Sequence, residues 1–136
     1  MSQRLSLTAL LVRDYDEAID FYVRKVGFDL REDTDQGGGK RWVVVGPSGG
    51  GGGAALLLAK PAGGKGVGEQ GAGRVFLFLE TDAFDADHAR MTAAGVRFLE
   101  APRREPYGAV AVFEDLYGNR WDLIQPVGAE PAAEPR

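Results

Sequence analysis

Two of the side chains most used in catalysis, cysteine and histidine, are nearly missing from this 136-residue chain. Cysteine is absent, which removes disulfides, thiolate metal sites and thiol nucleophiles together. His88 is the only histidine, a side chain that titrates near neutrality and could act as a general base. It falls on one helical stripe with Phe84 and Met91, so its spacing reads as a half-buried helix residue. Gly66-Val67-Gly68-Glu69-Gln70-Gly71 matches G-x-G-x-x-G, but a dinucleotide site needs those glycines between a strand and a helix, and here a strand follows. The five glycines at 49–53 lack the Gly-Lys-Ser/Thr ending of a phosphate loop. Arg41, Arg103, Arg104 and Arg120 could meet an anionic ligand or simply solubilise the surface. Trp42, Tyr107 and Phe113 could form an aromatic wall that stacks a planar ligand, or could be strand packing.

The elements that would position these residues come in two copies. Residues 5–13 read as a buried strand, nearly all apolar and closed by Arg13-Asp14; a helix over about 15–26 places Ile19, Tyr22, Val23 and Val26 on one stripe. Asp14 can cap that helix, with Glu17 completing an Asp-x-x-Glu capping box, and Gly27 stops it. Strands follow at 28–34, 40–46 and 54–60, the first two joined by a turn containing Gly37-Gly38-Gly39. The second copy has a strand at 74–81, a helix near 83–94 capped by Thr81 or Asp82, and strands near 96–100, 108–115 and 120–125. Asp14 and Asp82, like Gly27 and Gly95, are 68 positions apart.

The spacing predicts a single α+β domain over 1–126: module one at about 5–61, an exposed glycine-rich linker at 62–73, and module two at 74–126. Each module is βαβββ. A sheet covered by a helix on one side leaves its other face free, and two such curved sheets would form a shared trough for a ligand. Residues 127–136, rich in Ala, Pro and Glu, are expected to be a disordered tail.

Composition bounds the partners. The net charge of −4 supplies no basic field for nucleic acid or an acidic membrane surface. No apolar run approaches the roughly 20 residues of a membrane span, and the N-terminus lacks a secretory apolar region, so a cytoplasmic location is expected.

Tyr107-Gly108-Ala109-Val110-Ala111-Val112-Phe113-Glu114-Asp115-Leu116-Tyr117-Gly118-Asn119-Arg120-Trp121-Asp122-Leu123 resembles the end of the second module in the vicinal oxygen chelate superfamily, the group of glyoxalase, bleomycin-resistance proteins and extradiol dioxygenases. Asp14-x-x-x-Ala18-x-x-Phe21-Tyr22, followed by Gly27-Phe28, resembles its opening motif, and the likeness spans about residues 5–126. The resemblance implies a divalent metal held by a residue early in the first strand and a residue late in the last strand of each module. Those positions fall on Leu7 and Leu57 in module one, and on Phe76 (or Val75) and Asp122 in module two. A zinc or iron site needs at least three protein donors, and leucine and phenylalanine offer none. Magnesium or manganese would still want more than one carboxylate here. No metal ligands and no cofactor are therefore expected.

Asp122 is the best candidate for a catalytic group, and otherwise an acceptor for a ligand's hydroxyl or amine, or a partly solvated or arginine-paired strand residue. Pairing across the 115–119 turn predicts Phe113 opposite Asp122, with Ala111, Ala109 and Tyr107 on the same face and Val110, Val112 and Trp121 on the helix side. The expected ligand-binding residues are Arg41, Trp42, Tyr107, Phe113 and Asp122; which of Arg41 and Trp42 faces the ligand is left open, because the glycine-rich loop hides the register. The expected function is binding of a small amphipathic or aromatic molecule without a catalytic metal. The alternative is a lyase, isomerase or dioxygenase of the same superfamily with a divergent site, in which Tyr107 or Glu114 would assist Asp122. The resemblance further implies a homodimer in which module one of one chain meets module two of the other.

Overall fold

The computed structural model describes residues 1–49 and 52–128. Of the tail expected at 127–136, Val127 and Gly128 form a turn, and the rest lies outside the described residues, as do Gly50 and Gly51 of the glycine-rich connection. The chain divides into two compact units, Met1–Gly68 and Glu69–Arg136. Each is built of strands and helical segments, an α+β architecture, and the first also has a short 3₁₀ helix at Ala62–Gly64.

The first unit runs β1 (Leu7–Leu11), α1 (Tyr15–Ile19), β2 (Asp29–Gly37), β3 (Lys40–Gly46) and β4 (Ala55–Ala59). Its sheet has the order β1-β4-β3-β2, with β1 parallel to β4 and the other neighbours antiparallel. Asp14 caps α1 as expected: its backbone is extended and its Oδ2 accepts from the Glu17 N–H at 2.8 Å. Beyond Ile19 the helix widens into a π-helix over Asp20–Val26, a variation that hydrophobic spacing did not signal. Gly27 ends it at φ 100°, a left-handed conformation that suits glycine.

Strand alternation sorts the sheet into two faces. Leu10, Val43, Val45, Leu56 and Leu58 are buried with Tyr15, Ala18, Phe21, Tyr22 and Val26 of the helical segment. Tyr22 stands edge-on to Phe21 at 5.1 Å and stacks on Phe28 at 5.7 Å. The opposite, helix-free face carries Leu7, Ala9, Leu11, Trp42, Val44 and Leu57.

The second unit runs β5 (Val75–Glu80), α2 (Phe84–Ala93), β6 (Arg97–Phe98), β7 (Arg103–Glu105), β8 (Gly108–Glu114) and β9 (Arg120–Pro126). The sheet order is β5-β9-β8-β6, with β7 also paired to β8. The strand expected near 96–100 is β6, and β7 is a further short strand on the same edge that the spacing did not signal. Pro102 lies between the two; it has no N–H to give the ladder. The expected caps of α2 are corrected. The N-cap is Ala83, with no side-chain cap bond of its own. Thr81 Oγ1 accepts from the Ala83 N–H at 2.9 Å, and Gln125 Oε1 accepts from the Phe84 N–H at 3.0 Å. A strand side chain therefore meets an open donor at the start of the helix.

Candidate functional site

The β8–β9 register decides which side chains share a face. Asp115 N–H donates to the Asn119 carbonyl at 2.9 Å, and Glu114 pairs with Arg120, so Val112 lies opposite Asp122 and Phe113 opposite Trp121. The expected pairing of Phe113 with Asp122 is one residue out, and such a slip turns every side chain to the other face. Phe113, Ala109 and Ala111 consequently face α2, while Val110 and Val112 share Asp122's face; Trp121 is on the helix side as expected. The cause is energetic. Phe113 and Trp121 are 0% and 3% exposed, and this register buries both together. Phe113 therefore belongs to the core of the second unit and takes no part in an aromatic wall.

On the helix-free face of this sheet, Asp122 is half-buried and its Oδ1 is buried without a hydrogen-bond partner. Burial pushes its carboxyl above the ordinary carboxylate range; Arg103 opposes the shift and Glu100 adds to it. Arg103 donates to both oxygens of Glu100 at 3.0 and 3.1 Å and to Glu105 at 2.8 Å. Its guanidinium is held strongly protonated by Glu100 and then by Tyr107, the contact that joins Tyr107 to this cluster. The neighbour of Asp122 on β5 is Phe78, which is 65% exposed. Sequence reasoning missed Phe78; its only signal was its place in an apolar run, two residues on from Phe76.

In the first unit, Arg41 and Trp42 point to opposite faces. Arg41 is on the helix side, where it donates to Asp33 at 2.6 and 3.0 Å and to Asp16 at 2.9 Å, with its guanidinium 5.2 Å from the centre of the Tyr15 ring. Arg41 is thus ion-paired with two carboxylates, and it also lines the cleft beside Trp42. Arg104 is similarly paired with Asp85 at 3.0 Å. Trp42 is half-buried on the helix-free face, with Leu57. Beside it opens a cleft of about 600 Å³ at the end of β3 and β4, whose lining includes Tyr15, Lys40, Trp42, Leu57 and Lys60.

The donor set does not fit a metal. Leu7 and Leu57 share the helix-free face of the first sheet, Asp122 lies on that of the second, and Phe76 falls at an irregularity in the β5–β9 pairing, leaving one oxygen-bearing side chain among the four positions that the resemblance implies. Among the described residues, no three His, Asp or Glu side chains gather as a cation would require. His88 packs between Phe84 and Phe98, at ring distances of 6.0 and 4.1 Å, on the core side of α2. Glu114, the other proposed assistant of Asp122, is paired with Arg97 at 3.0 Å.

Comparison with known proteins agrees with this architecture. The family model of the Glyoxalase/Bleomycin resistance protein/Dioxygenase superfamily matches residues 4–123. An uncharacterized protein of Shewanella frigidimarina is 53% identical over 128 residues, which cover 92% of this chain and 95% of that one. The crystal structure of TnmS3, described as an antibiotic binding protein from Streptomyces sp. CB03234, has 36% identity and a TM-score of 0.77 over 92% of this chain and 97% of that one. A superfamily member from Sphaerobacter thermophilus superposes with a TM-score of 0.77 at 26% identity, over 91% of this chain and 98% of that one. Sequence motifs, sheet topology and family model converge: the chain belongs to the Glyoxalase/Bleomycin resistance protein/Dioxygenase superfamily.

Proposed function

We propose that this protein binds a small, flat, largely apolar molecule against a helix-free sheet face, without a catalytic metal. The observation that carries this reading is the identity of Leu7, Leu57 and Phe76 at positions where the resemblance implies metal donors. Such side chains disfavour a cation and favour an apolar surface. The half-buried Trp42 on the first face and the exposed Phe78 on the second support it, because aromatic rings give flat contact area to a flat ligand. TnmS3, similar along nearly its whole length, is described as an antibiotic binding protein, which supports capture of a compound over its conversion. The homodimer implied by the resemblance is part of this proposal, and sedimentation at micromolar concentration tests it.

Binding of naphthalene-sized probes, followed by thermal shift and tryptophan fluorescence with and without EDTA, tests the central claim. Affinity should be the same in both buffers, and protein prepared without chelator should hold far less than one equivalent of divalent ion. A stoichiometric ion whose removal abolishes binding, or turnover that depends on it, would overturn the reading.

A further inference from the structure

We infer that Asp122 accepts a hydrogen bond from the ligand, so the ligand class is an aromatic ring bearing a hydroxyl or amine donor, laid against Phe78. This rests on the aromatic-binding reading above and adds the polar half of the recognition. Asp122 lies on β9 between β5 and β8, with Phe78 beside it on one side and Val112 on the other. In a sheet such neighbours are roughly 4.8 Å apart and point the same way. The Asp122 carboxylate thus has an apolar side chain on each neighbouring strand, with the Arg103–Glu100 pair nearby. Asp122 is half-buried: its Oδ1 is enclosed and unpartnered, so a guest meets the carboxylate from the open side of the residue.

The surrounding charges leave this acceptor available. Arg103, the nearby cation, is drawn to Glu100 and Glu105, and no hydrogen bond joins it to Asp122. Glu100, the other carboxylate that acts on Asp122, also disfavours a ligand carrying its own carboxylate. A donor on a flat ring satisfies both parts of the patch, because its polar hydrogen meets the carboxylate while its face covers Phe78. The desolvation that raises the carboxyl's proton affinity also strengthens any hydrogen bond made there.

Titration of the full chain with 2-naphthol, 2-methoxynaphthalene and 2-naphthoate tests the inference. The first two share a ring system, but only 2-naphthol carries a donor. Wild-type protein should bind 2-naphthol about tenfold more tightly than 2-methoxynaphthalene, and 2-naphthoate most weakly of the three. Asp122→Leu should weaken 2-naphthol about tenfold and leave 2-methoxynaphthalene unchanged. The wild-type comparison needs no variant, so it stands even if Asp122→Leu folds poorly. Equal affinity for the two neutral probes would overturn the role of Asp122 while leaving aromatic binding intact. Tightest binding of 2-naphthoate would overturn it in favour of the arginines. Failure of all three to bind at millimolar concentration would overturn both readings.

Discussion

Phe113 lies flat against Trp121, ring centroids 5.7 Å apart and planes 12° from parallel. Phe98 leans on Phe113 at 5.6 Å, and His88 on Phe98, so the rings form a continuous aromatic seam beneath α2. This contact holds β8 and β9 in register and thereby keeps Asp122 on the opposite face. Phe113→Ala should cost about 3–5 kcal/mol through the cavity it leaves, read as a lowered urea midpoint. Phe113→Leu should cost less and leave probe binding within about twofold of wild type. A strong loss of binding in a fully folded Phe113→Leu protein would place the ring in the site.

Trp42 should show the reverse pattern. Half-buried on the helix-free face, it contributes less to the core than the buried Trp121. Trp42→Ala should lower stability by about 1–2 kcal/mol, near the middle of the range for single substitutions, yet weaken aromatic probes by fivefold or more. Ligand-induced quenching of tryptophan emission should disappear with it. Quenching that persists unchanged would exclude Trp42 from the contact surface.

Gly108 has φ 147°, and a methyl group there would come within 2.2 Å of the Gln125 carbonyl oxygen and 2.9 Å of the Pro126 Cα. Backbone, not a movable side chain, fills the space. Gly108→Ala should therefore cost at least about 1–3 kcal/mol and loosen the pairing of β8 with β9, visible as faster amide exchange at Ala109 and Val110. Wild-type exchange rates in a folded variant would contradict this.

The acid–base behaviour of Asp122 and Asp33 should run in opposite directions. Burial raises the Asp122 carboxyl, so its contribution is fully present below the unfolded carboxylate value and is lost as pH rises through the folded value. Asp122→Asn should accordingly gain stability over wild type as pH climbs through the carboxylate range. The hydrogen bond from Arg41 lowers Asp33; its contribution is present above the unfolded value and disappears as pH falls through the folded one. Asp33→Asn should flatten the acid side of the stability profile. Urea midpoints between pH 3 and pH 8 would reveal both slopes, and parallel curves would refute both assignments.

Local chemistry made much of the fold legible in sequence. The Asp14 cap, the Gly27 stop and the 68-residue repeat each depend on near neighbours or on plain periodicity. Asp122 was legible as a candidate for the same reason: its motif is contiguous. What failed was counting across a turn. Strand alternation has period two, so reading the Asp115–Asn119 closure one residue too long reversed both faces of β8. The apolar weight of Phe113, Trp121 and Leu123 taken together would have favoured the observed register. Phe78 escaped because a phenylalanine in an apolar run looks like core until the pairing shows which side it is on. The division of Arg41 from Trp42 needed the β3 partners, which no local pattern reveals.

The border strand β2 carries Asp29, Glu32, Asp33 and Asp35 against a single arginine, and every residue of it is exposed. An outermost strand with open backbone groups invites a stranger's strand to join, and a fringe of like charge repels that approach. Solubility of the folded molecule is thus guarded at one margin by electrostatic repulsion, and the guard should weaken in high salt or once the fringe is neutralised. Replacing Glu32 and Asp35 by Gln and Asn should bring on turbidity at protein concentrations where the native chain stays clear; if the solutions remain equally clear, the fringe has no such protective part.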